Sequence, residues 1–273
     1  MGLFGSKENS EDLMYHAMSL MERNQPKGAI SLFNKIIKQD SKNISALYNK
    51  GLALNQIKKY SDAVTCFDLL LEINPKDSQA YNNKGIAMAE MGDTQMANDC
   101  YDMALKADPK NSSSYFNKGV LLDRLQERDE ALEFLDKAIS ADSKKSNAMF
   151  YKGIVLGKMK RHEEALNCFE NVYKKNPAHM DALFHKGIEL AELERHEKAI
   201  EIFSKILSKH KDNANIIYAK SRSEAALGNY QESMELLKMA ISLNSKTIRD
   251  WAKEEKIFEK LHDNEQFRKM VKL

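Results

Sequence analysis

Small and large apolar residues return along this chain with a period of 34. The segments LYNKGLAL, YNNKGIAM, YFNKGVLL, FYKGIVLG and FHKGIELA place Gly51, Gly85, Gly119, Gly153 and Gly187 at that spacing. Ala29, Ala63, Ala97, Ala131, Ala165 and Ala199 form a second series. Phe33, Phe67, Tyr101, Leu135, Phe169, Phe203 and Leu237 form a third, and Pro75, Pro109 and Pro177 keep the same register. Counted from Ser10, the chain divides without insertion into seven units: 10–43, 44–77, 78–111, 112–145, 146–179, 180–213 and 214–247. A flexible stretch, 1–9, precedes them and 248–273 follows. Each unit reads as two amphipathic helices. In the second unit Leu47, Gly51 and Leu54 share one helical face, and Ala63, Phe67 and Leu70 share another. Asn74-Pro75 then stops the helix, since proline cannot continue the hydrogen-bond ladder. Small residues in the Gly and Ala columns let paired helices approach until the large side chains interlock.

These columns resemble the tetratricopeptide repeat (TPR) family. The likeness rests on Leu or an aromatic at position 4 of a unit, Gly or Ala at 8, a large apolar residue at 11, Ala at 20, an aromatic at 24 and Pro at 32. It implies an all-α fold, a right-handed superhelical solenoid of antiparallel helix pairs. Residues 10–213 fit well, and the seventh unit departs at Ser221, Glu224 and Ser233. Terminal units of a stacked array face water, so such departures are expected there. The tail begins in register with Trp251 and predicts a capping helix, Ile248 to Leu261, then a short one, Asn264 to Val271.

Composition narrows the function. Lys+Arg 42 against Asp+Glu 40 leaves a net charge of +2, which argues against a nucleic-acid partner. The longest run without Asp, Glu, Lys or Arg is Leu13 to Met21, far short of the ~20 apolar residues of a membrane span. Three cysteines fit a reducing cytoplasm better than a disulfide framework. Cys66, Cys100 and Cys168 share one repeat position, and neighbouring units stand too far apart to bridge them. No glycine-rich phosphate loop and no metal-ligand spacing occur, so no cofactor, metal or catalytic group is expected. His162 and His196 precede Glu in the turns and read as solvated.

The family resemblance implies that positions 2, 5, 6, 9, 12 and 13 of each unit line a concave groove. Position 5 reads Met14, Tyr48, Asn82, Phe116, Phe150, Phe184 and Tyr218; position 6 includes Asn49, Asn83, Asn117, Tyr151 and His185. Asn49, Asn83 and Asn117 resemble the asparagine ladder of O-linked N-acetylglucosamine transferase, which holds peptide main chain. Amides carry both a donor and an acceptor, so the row could pair with a peptide or simply with neighbouring helices. The aromatics could anchor partner side chains or be partly buried between units. The lysines that grip a chaperone carboxylate in one TPR subclass are absent from position 5, so a partner of that kind is not expected. Lys50, Lys84, Lys118, Lys152, Lys186 and Lys220 form a column read as stems lying on the surface with ammonium groups in water.

The reading is therefore a non-enzymatic cytoplasmic scaffold that binds a peptide segment of another protein. Its candidate contacts are Asn49, Asn83, Asn117, Tyr48, Asn82, Phe116, Phe150, Phe184 and His185. Self-association through Trp251, Phe258 and Phe267 is one alternative. Acylation of Gly2, within the MGxxxS start, is another.

Overall fold

The computed structural model describes residues 9–142 and 146–273, which form two compact units. The acylation pattern at residues 1–6 lies outside the described residues. The first unit holds α1 (Ser10–Glu22), α2 (Pro26–Gln39), α3 (Ile44–Gln56), α4 (Tyr60–Ile73), α5 (Ser78–Met91), α6 (Thr94–Ala107), α7 (Ser112–Arg124) and α8 (Arg128–Ala141). The second holds α9 (Ser146–Lys158), α10 (His162–Lys175), α11 (Met180–Glu192), α12 (His196–Leu207), α13 (Ala214–Ala226) and α14 (Tyr230–Leu243). It ends with α15 (Ser245–Glu254), a 3-10 helix (Lys256–Leu261) and α16 (Glu265–Val271). Consecutive helices pack as antiparallel pairs, and no strand occurs among the described residues. The fold is an all-α solenoid.

Each pair is started and turned by local chemistry. The residues before α3, α5, α7, α11 and α13 are Asn43, Asp77, Asn111, His179 and Asn213. Their side chains accept from the backbone N–H of Ala46, Ala80, Ser114, Ala182 and Ile216. Each cap satisfies a donor that the first helical turn leaves unpaired. The turn inside a pair passes through one left-handed residue: Asn24, Lys58, Gly92, Gln126, Lys160, Glu194 and Gly228. Only two of these are glycine.

Close packing explains the glycine column. A Cβ built on Gly51 would stand 2.6 Å from the Phe67 ring, and Gly85 and Gly187 stand equally close to Tyr101 and Phe203. The large residue of the second helix therefore lies directly on the backbone of the first. Phe33, Phe67, Leu135, Phe169 and Phe203 are fully buried in this way. The last pair joins its two helices with polar groups instead. Ser221 Oγ donates to the Ser233 carbonyl at 2.8 Å, and Ser233 Oγ donates back to the Ser221 carbonyl at 2.9 Å.

The C-terminal region differs from the expected one. Instead of one helix from Ile248 to Leu261, α15 ends at Glu254, and Glu255 is extended at φ −78°, ψ 117°. The Glu255 carboxylate accepts from Tyr218 Oη at 3.0 Å and pairs with Arg222 at 2.7 Å. These two bonds accompany the break and bring the 3-10 helix against α13. Arg222 also reaches Glu192, whereas Glu224 accepts from Asn229. Phe258 and Phe267 are fully buried core residues, not a self-association patch; Trp251 alone of the three is exposed, at 42%.

Cys66, Cys100 and Cys168 are free and buried. Burial raises the Cys100 thiol to about 11, with Lys84 opposing, so it stays protonated and unreactive at neutral pH.

The turns give a stability test. Gly92→Ala places a Cβ on a left-handed residue and should cost about 1 kcal/mol. Gln126→Gly relieves the same conformation and should stabilise by a few tenths of a kcal/mol, roughly what remains after the entropy of glycine is subtracted. Urea midpoints should move in opposite directions for the two variants.

Candidate functional site

The first helices of successive pairs stand side by side, α3 against α5 and α5 against α7 in the first unit, α11 against α13 in the second. Their shared faces carry the residues singled out by repeat position.

In the first unit this face is a hydrogen-bonded amide network. Asn49 Nδ2 donates to the Ser45 carbonyl at 2.9 Å. Asn83 Nδ2 donates to the Gln79 carbonyl at 2.8 Å and to Tyr48 Oη at 3.1 Å, while Tyr48 Oη donates to Gln79 Oε1 at 3.0 Å. Asn117 Nδ2 donates to Asn82 Oδ1 at 2.9 Å, and Ser114 Oγ donates to the same oxygen at 3.2 Å. Asn82 is only 7% exposed, so its carbonyl is spent inside the protein. The amide row is thus asymmetric. Both N–H bonds of Asn83 and one each of Asn49 and Asn117 are committed, whereas the Oδ1 atoms of all three receive no hydrogen bond from the described residues. These half-buried side chains can still accept. Leu52, Ile86, Phe116 and Val120 lie on the same face, each half-buried.

In the second unit the corresponding face is aromatic. Phe150 lies 5.5 Å from Phe169, 4.9 Å from His179 and 5.5 Å from His185, centroid to centroid. His185 stacks on Phe169 at 5.2 Å, and Phe184 meets His185 at 5.5 Å and Phe203 at 6.0 Å. His185 has no hydrogen-bond partner among the described residues. Burial holds its imidazole below the usual histidine range; Asp181 works against this and His179 with it. A neutral ring among aromatic rings is the result.

The lysine column is not simply solvated. Lys84 pairs with Asp68 at 2.6 Å, Lys118 with Asp102 at 2.5 Å and Lys186 with Glu170 at 2.7 Å, each reaching the second helix of the preceding pair. Burial disfavours the Lys84 ammonium, but the Asp68 hydrogen bond and charge outweigh it and hold the group charged above its ordinary value. Lys118 is 8% exposed and also covers the Phe134 ring at 4.7 Å. The register of Asp68, Asp102 and Glu170, each 16 residues before its lysine, was the available sequence signal.

His162 is likewise not a solvated turn residue. Its Nδ1 lies 2.8 Å from Glu189 Oε2, and Glu189 is nearly buried. Among the described residues no group of three or more His, Cys, Asp or Glu is placed to hold a metal ion. No helix among them is long and apolar enough to cross a membrane.

The depressed His185 imidazole carries a pH consequence. Because the folded state holds it below its unfolded value, its contribution is present near neutral pH and is lost as pH falls below about 6.5. His185→Asn should therefore lose less thermal stability than wild type between pH 7.5 and 5; equal losses would refute the assignment.

A model of the Psidin N-terminal TPR repeats region matches residues 15–119 and again 120–244. No curated protein sequence matches the chain. Among solved structures, PilF of Pseudomonas aeruginosa is 18% identical with a TM-score of 0.67, over 78% of this chain and 97% of its own. A TPR protein of Parabacteroides merdae is 17% identical with a TM-score of 0.63, over 90% and 97%. YrrB, a TPR protein with an unusual peptide-binding site, is 23% identical with a TM-score of 0.60, over 69% and 98%. The structural likenesses speak to fold alone, but the repeat match runs over most of the sequence and coincides with the glycine-on-ring helix pairs: the chain belongs to the tetratricopeptide repeat family.

Proposed function

We propose that this protein is a non-enzymatic, cytoplasmic protein–protein interaction scaffold that binds an extended peptide segment of a partner along its first-helix faces. The observation that carries the reading is the row of uncommitted Oδ1 acceptors on Asn49, Asn83 and Asn117, with both donors of Asn83 and one each of Asn49 and Asn117 already engaged. Such a row suits the N–H groups of an extended main chain, which must be paired when a peptide leaves water. Tyr48 and Asn82 hold the row in place, while Phe116 offers apolar contact beside it. Phe150 and Phe184 serve as aromatic anchors in the second unit, with His185 as the polar handle between them. The peptide-binding site attributed to YrrB supports the kind of ligand, and three free, buried thiols suit a reducing compartment.

The test is affinity capture from the source cell's lysate with wild type and with Asn49/Asn83/Asn117→Ala, circular dichroism confirming that the variant stays helical. Partners bound by wild type should drop at least tenfold with the variant. Equal recovery would move recognition away from the amide row. With any partner so identified, Phe150→Ala and Phe184→Ala should each weaken binding by about 1–3 kcal/mol, the range of an aromatic hot spot, when measured by titration calorimetry.

A further inference from the structure

Two columns of the repeat change together at one place in the second unit. Gly157 lies inside α9, where the equivalent residues are Met21, Asn55, Ala89, Asp123, Ala191 and Ala225. Glu189 lies in α11, where the others are Ser19, Ala53, Ala87, Leu121, Val155 and Ser223. His162 opens α10 between them. A Cβ on Gly157 would stand 2.7 Å from Glu189 Oε1, so the carboxylate fills the space that a side chain at 157 would occupy. Its other oxygen meets His162 Nδ1 at 2.8 Å, and the carboxyl side chain is 7% exposed. A helix-interior glycine costs about 1 kcal/mol relative to alanine, and a nearly buried carboxylate costs more. Neither is needed for the fold, because the other pairs form the same junction without a glycine in the first column or a carboxylate in the second.

We propose that the Glu189–His162 contact, seated on Gly157, is a proton-binding clasp that fastens α11 to the pair α9–α10 more tightly as pH falls. Burial raises Glu189 above its ordinary value, the His162 hydrogen bond and charge oppose this, and Glu192 on the same helix adds to it. Other cations near the junction are engaged. Arg161 binds Glu164, Arg195 at the start of α12 binds Glu163, and Arg222 on α13 binds Glu192 and Glu255. The His162 ring nitrogen is therefore what faces the carboxylate, while Gly157 on α9 brings no charge. A carboxyl group whose folded value is raised binds a proton that the unfolded chain has already released. Its stabilisation is full below about pH 4.3 and is lost as pH rises through the folded value. Because α11 also carries Phe184, His185 and Ile188, the clasp regulates how firmly the aromatic face is presented. This last consequence rests on the peptide-binding reading; the clasp itself does not.

The test is hydrogen exchange of the full chain between pH 5 and 8, corrected for intrinsic rates, over peptides covering α10 and α11. His185 contributes protection that is lost as pH falls; beside it, Glu189 should give wild type an opposite slope in which protection falls as pH rises, by less than about tenfold for each unit by which Glu189 is raised. Glu189→Gln should remove that slope while leaving α1–α8 unchanged. Parallel profiles in wild type and variant would overturn the proposal. Gly157→Ala gives a second check by thermal melting: it should destabilise wild type and be tolerated in a Glu189→Ala background, whereas equal cost in both would show that the carboxylate does not use that space. Since no ligand enters either measurement, loss of the peptide-binding reading would leave both outcomes informative.

Discussion

The solenoid depends on a steric exclusion: in the pairs of Gly51, Gly85, Gly153 and Gly187 there is no room for a side chain between the backbone of the first helix and the large residue of its partner. With Gly51, Gly85 and Gly187 only 2.6 Å, measured from a hypothetical Cβ, from Phe67, Tyr101 and Phe203, the helix pair has one depth of approach. That depth fixes which residues of the first helix turn inward against the pair and which remain on the open face. Tyr48, Asn49, Phe150, Phe184 and His185 occupy the open face because Gly51, Gly153 and Gly187 occupy the closed one. In the seventh pair Ser221 and Ser233 join the helices instead by exchanging hydrogen bonds to each other's carbonyl groups.

On this common frame the two units have specialised differently. The α3–α5–α7 face is an amide network in which Asn49 and Asn83 donate to carbonyls of their own helices, Asn83 and Asn117 donate to neighbouring helices, and the Oδ1 atoms of all three receive no hydrogen bond from the described residues. The α9–α11 face is built from aromatic and imidazole rings, and α13 has been covered by the chain's own Trp251, Glu255 and Phe258. A scaffold reading accommodates this contrast, because specificity in such a protein resides in side chains displayed on a constant backbone.

Much of the fold was legible because repetition amplifies weak signals: a single Gly or Ala says little, whereas Gly51, Gly85, Gly119, Gly153 and Gly187 at one interval define a packing surface. What repetition could not supply were departures from it. The break at Glu255 was hidden because Ile248, Trp251 and Leu261 keep helical spacing, and only the long-range bonds to Tyr218 and Arg222 reveal why the chain leaves the helix. Phe258 and Phe267 looked exposed because they lie outside the seven repeat units, yet the returning tail encloses them. His162 reads as a turn residue in sequence because its partner is 27 residues away. The unusual Gly157 and Glu189, each alone in its column, were the clue. For the amide row, the sequence supplied the residues but not the direction of their hydrogen bonds, which decides what the row can offer a ligand.

The lysine ties have a bearing on how such a chain changes length. Lys84, Lys118 and Lys186 each reach back 16 residues across the boundary between consecutive pairs, to Asp68, Asp102 and Glu170. Every bond of this kind joins one repeat position to another, with no partner specific to its place. Duplicating or excising a block of 34 residues from within that run therefore strands neither a cation nor a carboxylate, because the lysine arriving at the new seam finds an acid already in register. An array stitched in this way can gain or lose whole pairs by recombination while keeping its charges matched, and the length of its first-helix face can drift without the joints having to be invented again.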